Sequence, residues 1–141
     1  MSIYAESSSV TAWLLGEKRG KAVRDALSSV DRVIASDLTI LECHRTLIRY
    51  SYSDQITEGD AADCAAMLEA ASVHWHLLRI GGEVVERAGR PFPVEPVRSL
   101  DAIHLSVALQ ARAVLPGLIV LSLDERVREN ARALGFDLLP A

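Results

Sequence analysis

The segment LIVLSLD, residues 118–124, determines the expected fold because it has the pattern of a short, fully buried strand that ends at an acid. The turn residues Pro116 and Gly117 precede it, and a helical pattern, Glu125–Leu134, follows it and stops at Gly135. A continuous apolar run of this length is typical of a parallel strand that is covered on both faces. We therefore expect this segment to form the centre of a parallel sheet.

Strand and helix patterns alternate along the rest of the chain. Further strands are predicted at residues 2–5, 32–35, 73–78 and 138–139, and further helices at residues 7–15, 21–27, 37–50, 58–71, 81–88 and 99–113. Three prolines between residues 89 and 96 predict a loop there. The alternation predicts an α/β sandwich with a mainly parallel sheet.

Composition and charge limit the classes of protein that the chain can represent. The 141 residues are half apolar and carry a net charge of −4, so we expect a single domain over residues 1–141 with a sizeable core. The chain has no apolar run near membrane-helix length and no signal-peptide pattern, and we expect a cytoplasmic protein. The negative charge argues against a basic coat for nucleic acid, but it is compatible with a nuclease whose acids bind metal.

Four carboxylates occupy positions from which they can meet at one site. Glu6 follows the first strand and Asp124 follows the strand quoted above, so both are expected at the carboxyl edge of the sheet. Glu42 and Asp101 each lie in the first half of a helix, and Asp101 shares its helix side with apolar residues and His104. An acid on such a surface is costly unless it is paired or bound to metal. We therefore predict that the four acids converge.

Clustered carboxylates favour divalent-metal chemistry over simple acid–base catalysis. Without a cation, the acids would repel each other and any phosphate. Carboxylates with water form the hard oxygen sites that suit Mg²⁺ or Mn²⁺. Such ions activate water and neutralise a scissile phosphate, so the pattern indicates phosphodiester cleavage.

Four segments together resemble the PIN-domain family, and within it the VapC-type ribonuclease toxins of toxin–antitoxin pairs. They are IYAESS (residues 3–8), SDLTILE (residues 36–42), LDAIHLSVA (residues 100–108) and LSLDERV (residues 121–127). Their order and spacing agree with the family over essentially the whole chain. The resemblance implies a PIN-like three-layer α/β/α sandwich and a Mg²⁺- or Mn²⁺-dependent endoribonuclease acting on RNA. It also implies a homodimer and an antitoxin whose C-terminal segment occupies the active-site groove.

The resemblance also implies roles for individual residues. The metal and catalytic residues would be Glu6, Glu42, Asp101 and Asp124. Ser7 would help to orient a metal-bound water, and His104 would have a supporting role.

The chain departs from the family at its first acid, which is normally Asp and is here Glu6. The extra methylene moves the carboxylate by about 1.5 Å, and Mg²⁺ tolerates poor geometry badly. The alternative interpretation is therefore a PIN-fold module with an attenuated site that binds RNA or a protein partner.

Several side chains keep other interpretations open. Each acid has a local structural alternative: a helix cap for Asp124, a helix-dipole contact for Glu6, pairing with Arg45 for Glu42, and pairing with His104 or Arg98 for Asp101. His74 and His76 would share one face of the third strand, which favours a surface or interface role. The arginines that could meet phosphate are not ranked by the sequence; they are Arg45, Arg49, Arg87, Arg90, Arg98, Arg126 and Arg128.

Overall fold

The computed structural model describes residues 1–141 and contains five strands and seven helices. The strands are β1 (Ser2–Ala5), β2 (Arg32–Ser36), β3 (His76–Leu78), β4 (Ile119–Leu121) and β5 (Asp137–Leu139). The helices are α1 (Ser7–Leu14), α2 (Gly20–Ser28), α3 (Asp37–Tyr52), α4 (Glu58–Ser72), α5 (Gly82–Ala88), α6 (Ser99–Val114) and α7 (Glu125–Ala133).

The strands form one parallel sheet in the order β3-β2-β1-β4-β5. The prediction of a parallel α/β fold is confirmed, but the prediction that residues 118–123 form the sheet centre is wrong. The central strand is β1, and β4 lies beside it. Both strands have neighbours on each edge and helices on each face, so their apolar patterns do not distinguish the centre from the next position.

Side chains alternate between two apolar cores, one on each face of the sheet. Ile3 and Ala5 of β1 belong to the core formed with α1, α2, α3 and α4. Tyr4, between them, belongs to the core formed with α5, α6 and α7. This period-two alternation produces the predicted three-layer α/β/α sandwich.

Helix α3 begins at a capping box that also ties it to the end of β1. The Ser36 side chain accepts from the Thr39 backbone N–H, and the Thr39 hydroxyl accepts from the Ser36 N–H. The same Thr39 hydroxyl lies 3.0 Å from the Ala5 carbonyl oxygen, to which it donates. The start of α3 is therefore fixed beside the carboxyl edge of the sheet.

The third strand is shorter than predicted. It begins at His76, because α4 extends to Ser72 and turn hydrogen bonds from the backbone N–H groups of His74 and Trp75 follow it. The expectation that His74 and His76 share one strand face is therefore wrong.

The two longest helices, α3 and α6, have 16 residues each and carry Glu42 and Asp101. No helix is both long enough and apolar enough to cross a membrane. Cys43 and Cys64 are buried free thiols in one core, and burial raises the pKa of Cys43 to about 12.

The close packing of α2 on α1 predicts a large effect for Gly20→Ala. A Cβ at Gly20 would lie 2.5 Å from the Ala12 carbonyl oxygen and 3.0 Å from the Trp13 Cα, so backbone must move. We expect the free energy of unfolding to fall by about 1–3 kcal/mol in chemical denaturation. In the matched control Gly59→Ala, the added Cβ meets only a side-chain oxygen at 3.7 Å. The control should be neutral or stabilising by up to about 1 kcal/mol; equal effects in the two variants would contradict the packing argument.

Candidate active site

The four acids converge at the carboxyl edge of the sheet. Glu6 follows β1 directly, Asp124 precedes α7, Glu42 lies in the second turn of α3, and Asp101 lies in the first turn of α6. All four line one open cleft of 320 Å³. The convergence expected from the sequence is therefore present in the structure.

The Glu6 carboxylate is buried among four hydrogen-bond donor groups, one of which, the Ser7 hydroxyl, has its single proton shared with Glu42. Its Oε1 accepts from the Ser7 hydroxyl at 2.9 Å and from the Ser8 backbone N–H at 3.0 Å. Its Oε2 accepts from the Ser122 hydroxyl at 2.6 Å and from the Ser8 hydroxyl. Because the side chain is only 3% exposed, these bonds replace water and offset the cost of burying a carboxylate. Glu6 is also the N-cap of α1, so the structural alternative given for it, a contact with the start of that helix, is present in the structure as well.

The Ser8 hydroxyl connects Glu6 to Asp124. It accepts from the backbone N–H groups of Leu123 and Asp124 at 3.0 and 3.1 Å. The Oδ1 atom of Asp124 caps α7 by accepting from the Arg126 N–H at 2.9 Å. The structure gives Oδ2 no hydrogen bond, so capping leaves one carboxylate oxygen available to a ligand.

Glu42 pairs with His104 of α6 and not with Arg45 of its own helix. The His104 Nε2–H donates to Glu42 Oε1 at 2.5 Å, and the Ser7 hydroxyl oxygen lies 2.9 Å from the same atom, so the single Ser7 proton is shared between Glu6 and Glu42. Burial alone would raise the pKa of Glu42, but the hydrogen bond and charge of His104, with the Ser7 bond, hold it below its ordinary value. The tertiary contact with His104 therefore rules out the local alternative, an ion pair with Arg45.

His104 is itself held by the central strand. It is 1% exposed, and its Nδ1 lies 2.7 Å from the Tyr4 hydroxyl, which is 3.2 Å from the Ser36 hydroxyl. Because an ionised carboxylate only accepts, His104 Nε2 carries the proton. The Tyr4 hydroxyl donates to Nδ1 when the ring is neutral and accepts from it when the ring is charged. Burial raises the pKa of Tyr4. The chain Tyr4–His104–Glu42 thus extends from the core beneath α6 to the cleft.

Asp101 has neither of the partners suggested for it, since it forms no ion pair with His104 or Arg98. Burial is the main reason why its pKa is raised, and the charges of Asp124, Glu6 and Glu42 raise it further, while His104 opposes them. The cleft therefore holds more carboxylate charge than its protein partners compensate.

The donor set suits a divalent cation. Carboxylate oxygens of Glu6 and Glu42 lie within 4.8 Å of each other, and the two aspartates line the same cleft. His104 Nε2 is the third atom of this group, but its proton is bonded to Glu42, so it supports the site and leaves the oxygens as donors. Carboxylate oxygens are ligands of Mg²⁺ and Mn²⁺, and a cation would relieve the repulsion at Asp101.

The profile of the PIN domain family matches residues 3–133. This chain belongs to the PIN-domain family. Over 137 residues it is 32% identical to ribonuclease VapC35 of Mycobacterium tuberculosis, covering 95% of this chain and 93% of the relative. Over 140 residues it is 27% identical to ribonuclease VapC45 of the same species, covering 99% and 95%. The resemblance inferred from the four sequence segments is confirmed.

A solved structure supports the same fold for this PIN domain. The crystal structure of the Mycobacterium tuberculosis toxin VapC20, described as cleaving the sarcin–ricin loop, superimposes with a TM-score of 0.68. The alignment covers 95% of each chain at 17% sequence identity.

The structure adds residues to this PIN-domain site that sequence reasoning did not select. Ser8 and Ser122 hold the Glu6 carboxylate, and Tyr4 holds His104. Ser122 lies within the fourth segment of the resemblance, two residues before Asp124, which was the available signal for it. Tyr4 had no signal, because a tyrosine in a buried strand is usually core.

Relief of carboxylate repulsion predicts that Asp101→Asn stabilises the metal-free protein. The pKa of Asp101 is higher in the folded protein than in the unfolded chain. The folded protein therefore loses stability as the pH rises past the unfolded pKa, and the whole loss is present above the folded pKa. At pH 7 in EDTA, we expect the variant to melt about 1–5 °C above wild type. The difference should shrink at pH values below the ordinary pKa of aspartate. Asp63→Asn, on the exposed face of α4, is the control and should not reproduce the shift; a lower melting temperature for Asp101→Asn would contradict the argument.

Proposed function

We propose that this PIN-domain protein is a divalent-metal-dependent endoribonuclease, the toxin of a toxin–antitoxin pair, which hydrolyses RNA phosphodiester bonds. The observation that carries the proposal is the convergence of four carboxylates in one cleft of a chain whose relatives are ribonucleases. Uncompensated carboxylate charge is a poor surface for RNA unless a cation binds first. Hydrolysis with a divalent cation is therefore the chemistry that this cleft suits best.

We infer that Glu6, Glu42, Asp101 and Asp124 hold the Mg²⁺ or Mn²⁺. When bound, such an ion supplies positive charge to the scissile phosphate and lowers the pKa of water. Ser7 keeps the Glu6 and Glu42 carboxylates together because its hydroxyl lies 2.9 Å from an oxygen of each. His104 fixes the Glu42 carboxylate through Nε2–H. In the reaction, a water oxygen bonds to phosphorus, the bond to the leaving ribose oxygen breaks, and that oxygen takes up a proton.

One observation favours the alternative, a PIN-fold module that binds RNA or a protein partner with an attenuated metal site. Glu6 already faces four hydrogen-bond donors, three of them its own and one shared with Glu42, so a metal-ligand role competes with these bonds. Exchange of one bond is inexpensive where the lost donor is a serine hydroxyl that can rotate to water. We therefore favour the enzyme.

The proposed partners follow from the family. Relatives carry the VapC ribonuclease name, and we propose a cognate antitoxin, a homodimer and a cytoplasmic site of action for this chain. An antitoxin segment with a basic side chain would complement the acid cleft and block access of RNA.

Loss of cleavage in Asp101→Asn tests the nuclease directly. Removal of a residue that only hydrogen-bonds a metal ligand lowers metal affinity or activity by about 10–100-fold. Loss of the ligand itself should therefore lower the cleavage rate on the order of 100-fold or more. Purified wild type is incubated with total cellular RNA in Mg²⁺, Mn²⁺ or EDTA. We expect discrete cuts that need the metal and disappear in Asp101→Asn but not in Asp63→Asn. Full cleavage by Asp101→Asn, or by wild type in EDTA, would refute the mechanism.

Glu6→Asp separates the enzyme from the attenuated module. The shorter side chain cannot reach all its present donors, so it frees carboxylate oxygen for an ion and loses hydrogen bonds. We expect a lower melting temperature in EDTA, a larger Mn²⁺-dependent increase in melting temperature, and cleavage at least equal to wild type. Asp101→Asn should show little Mn²⁺ response. If wild type and Glu6→Asp both lack cleavage and any response to Mn²⁺, the binding module becomes the better function.

A further inference from the structure

One wall of the acid cleft is a face of α3. Glu42, Thr46, Arg49 and Tyr50 all line the cleft. Their spacing of four, seven and eight residues from Glu42 places them on one side of a helix. The wall therefore extends two turns beyond the proposed metal ligand, and its far end carries a cation and an aromatic ring.

Arg49 is the one cationic side chain that lines this cleft, where it faces five carboxylates. It forms no ion pair with any of them within 4.0 Å, and its side chain is exposed. Its guanidinium carbon lies 5.6 Å from the centre of the Tyr50 ring. An arginine with no acid partner at the rim of a phosphodiesterase site is available to a backbone phosphate, whose oxygens its planar fork matches.

The other candidate arginines are less suited to this role. Arg128 is buried and donates to the Ser122 carbonyl oxygen at 2.8 Å. Arg87 lies over the Phe92 ring at 4.3 Å. Arg98 and Arg126 line a separate cleft, and neither Arg45 nor Arg90 lines the acid cleft. The structure thus ranks Arg49 first among residues that the sequence left unranked.

Tyr50 provides a different kind of contact. It is half-buried, its hydroxyl has no hydrogen bond, and it lines the cleft beside Arg49. Tyrosine rings in such positions stack on unpaired bases of single-stranded RNA. Tyr52, two residues later, is 89% exposed and lies outside the cleft, so it offers a matched comparison.

We propose that Arg49 and Tyr50 form a subsite for single-stranded RNA at the α3 end of the acid cleft. Arg49 binds a phosphate near the scissile one, and Tyr50 stacks the adjoining base. The subsite rests on the proposed function, because it positions the strand for cleavage at the acids. It selects an unpaired strand, since a base within a duplex cannot stack on a side chain.

The test measures binding of 3′-fluorescein-labelled 12-nucleotide oligo(A) and oligo(U) by fluorescence anisotropy. The parent protein is wild type in Ca²⁺, a hard cation that carboxylates also bind but that does not keep the strict octahedral geometry of Mg²⁺, and a gel of the probe after each titration checks that it is uncut. Arg49→Gln is compared with Arg45→Gln, and Tyr50→Leu with Tyr52→Leu, all in Ca²⁺. Circular dichroism melting checks that each variant is folded, and Tyr50→Phe tests rescue by an aromatic ring.

We expect Arg49→Gln to weaken binding of both probes by a similar factor. The magnitude of the slope of log affinity against log salt should fall by about 0.7, which corresponds to the loss of one phosphate contact. Tyr50→Leu should weaken binding by about 5–100-fold, more for oligo(A) because purines stack more strongly. Tyr50→Phe should restore the preference for oligo(A), and the Arg45 and Tyr52 controls should match the parent. A merely structural role would move neither the salt slope nor the probe preference.

The outcomes separate this proposal from the function on which it rests. If the parent binds and both variants match their controls, the subsite is wrong, while metal-dependent cleavage by wild type would still stand. If the parent binds neither probe, the subsite is also overturned, and the cleavage assay alone decides the nuclease. Because Arg49 is exposed, Arg49→Gln tests the subsite even where Tyr50→Leu perturbs folding.

Discussion

The buried carboxylate of Glu6 constrains the whole cleft, because a carboxylate removed from water must have its acceptor positions filled. Serine hydroxyls and one backbone N–H meet that requirement. The same hydroxyls then position the other acids: Ser7 shares its single proton between Glu6 and Glu42, and Ser8 accepts from the Asp124 backbone N–H. Satisfying one buried group therefore sets the relative positions of the ends of β1 and β4 and the face of α3.

The central strand β1 also connects the acid cleft to the core on the other face of the sheet. Alternation along the strand sends Tyr4 into the core beneath α6, where its hydroxyl meets His104, and His104 reaches back to Glu42. Glu42 is thus held from both layers, by Ser7 from α1 and by His104 from α6.

The sequence allowed the layer order, the parallel sheet and the convergence of acids to be predicted, because apolar runs and Gly and Pro positions are local signals. It did not reveal which buried strand was central, since β1 and β4 have equivalent surroundings. The sequence also offered Arg45 as a partner of Glu42, because residue spacing predicts contacts within one helix. It cannot predict a contact with His104, which lies 62 residues later in the chain. The family resemblance identified the four acids, whereas the choice among arginines depended on which side of α3 faces the cleft.

The charge balance of the cleft bears on whether the chain is an enzyme or a binding module. Hydrogen bonds partner Glu6 and Glu42, but Asp101 remains half-buried among like charges, and burial, with those charges, raises its pKa. A module that binds only RNA would gain stability and lose repulsion toward phosphate if this aspartate were neutral. A hydrolase that needs a cation gains from the same aspartate, because the charges that repel one another also attract the ion. The unfavourable charge at Asp101 is therefore understandable as a requirement of metal-dependent chemistry, and it has no equivalent reason in a module that works without metal.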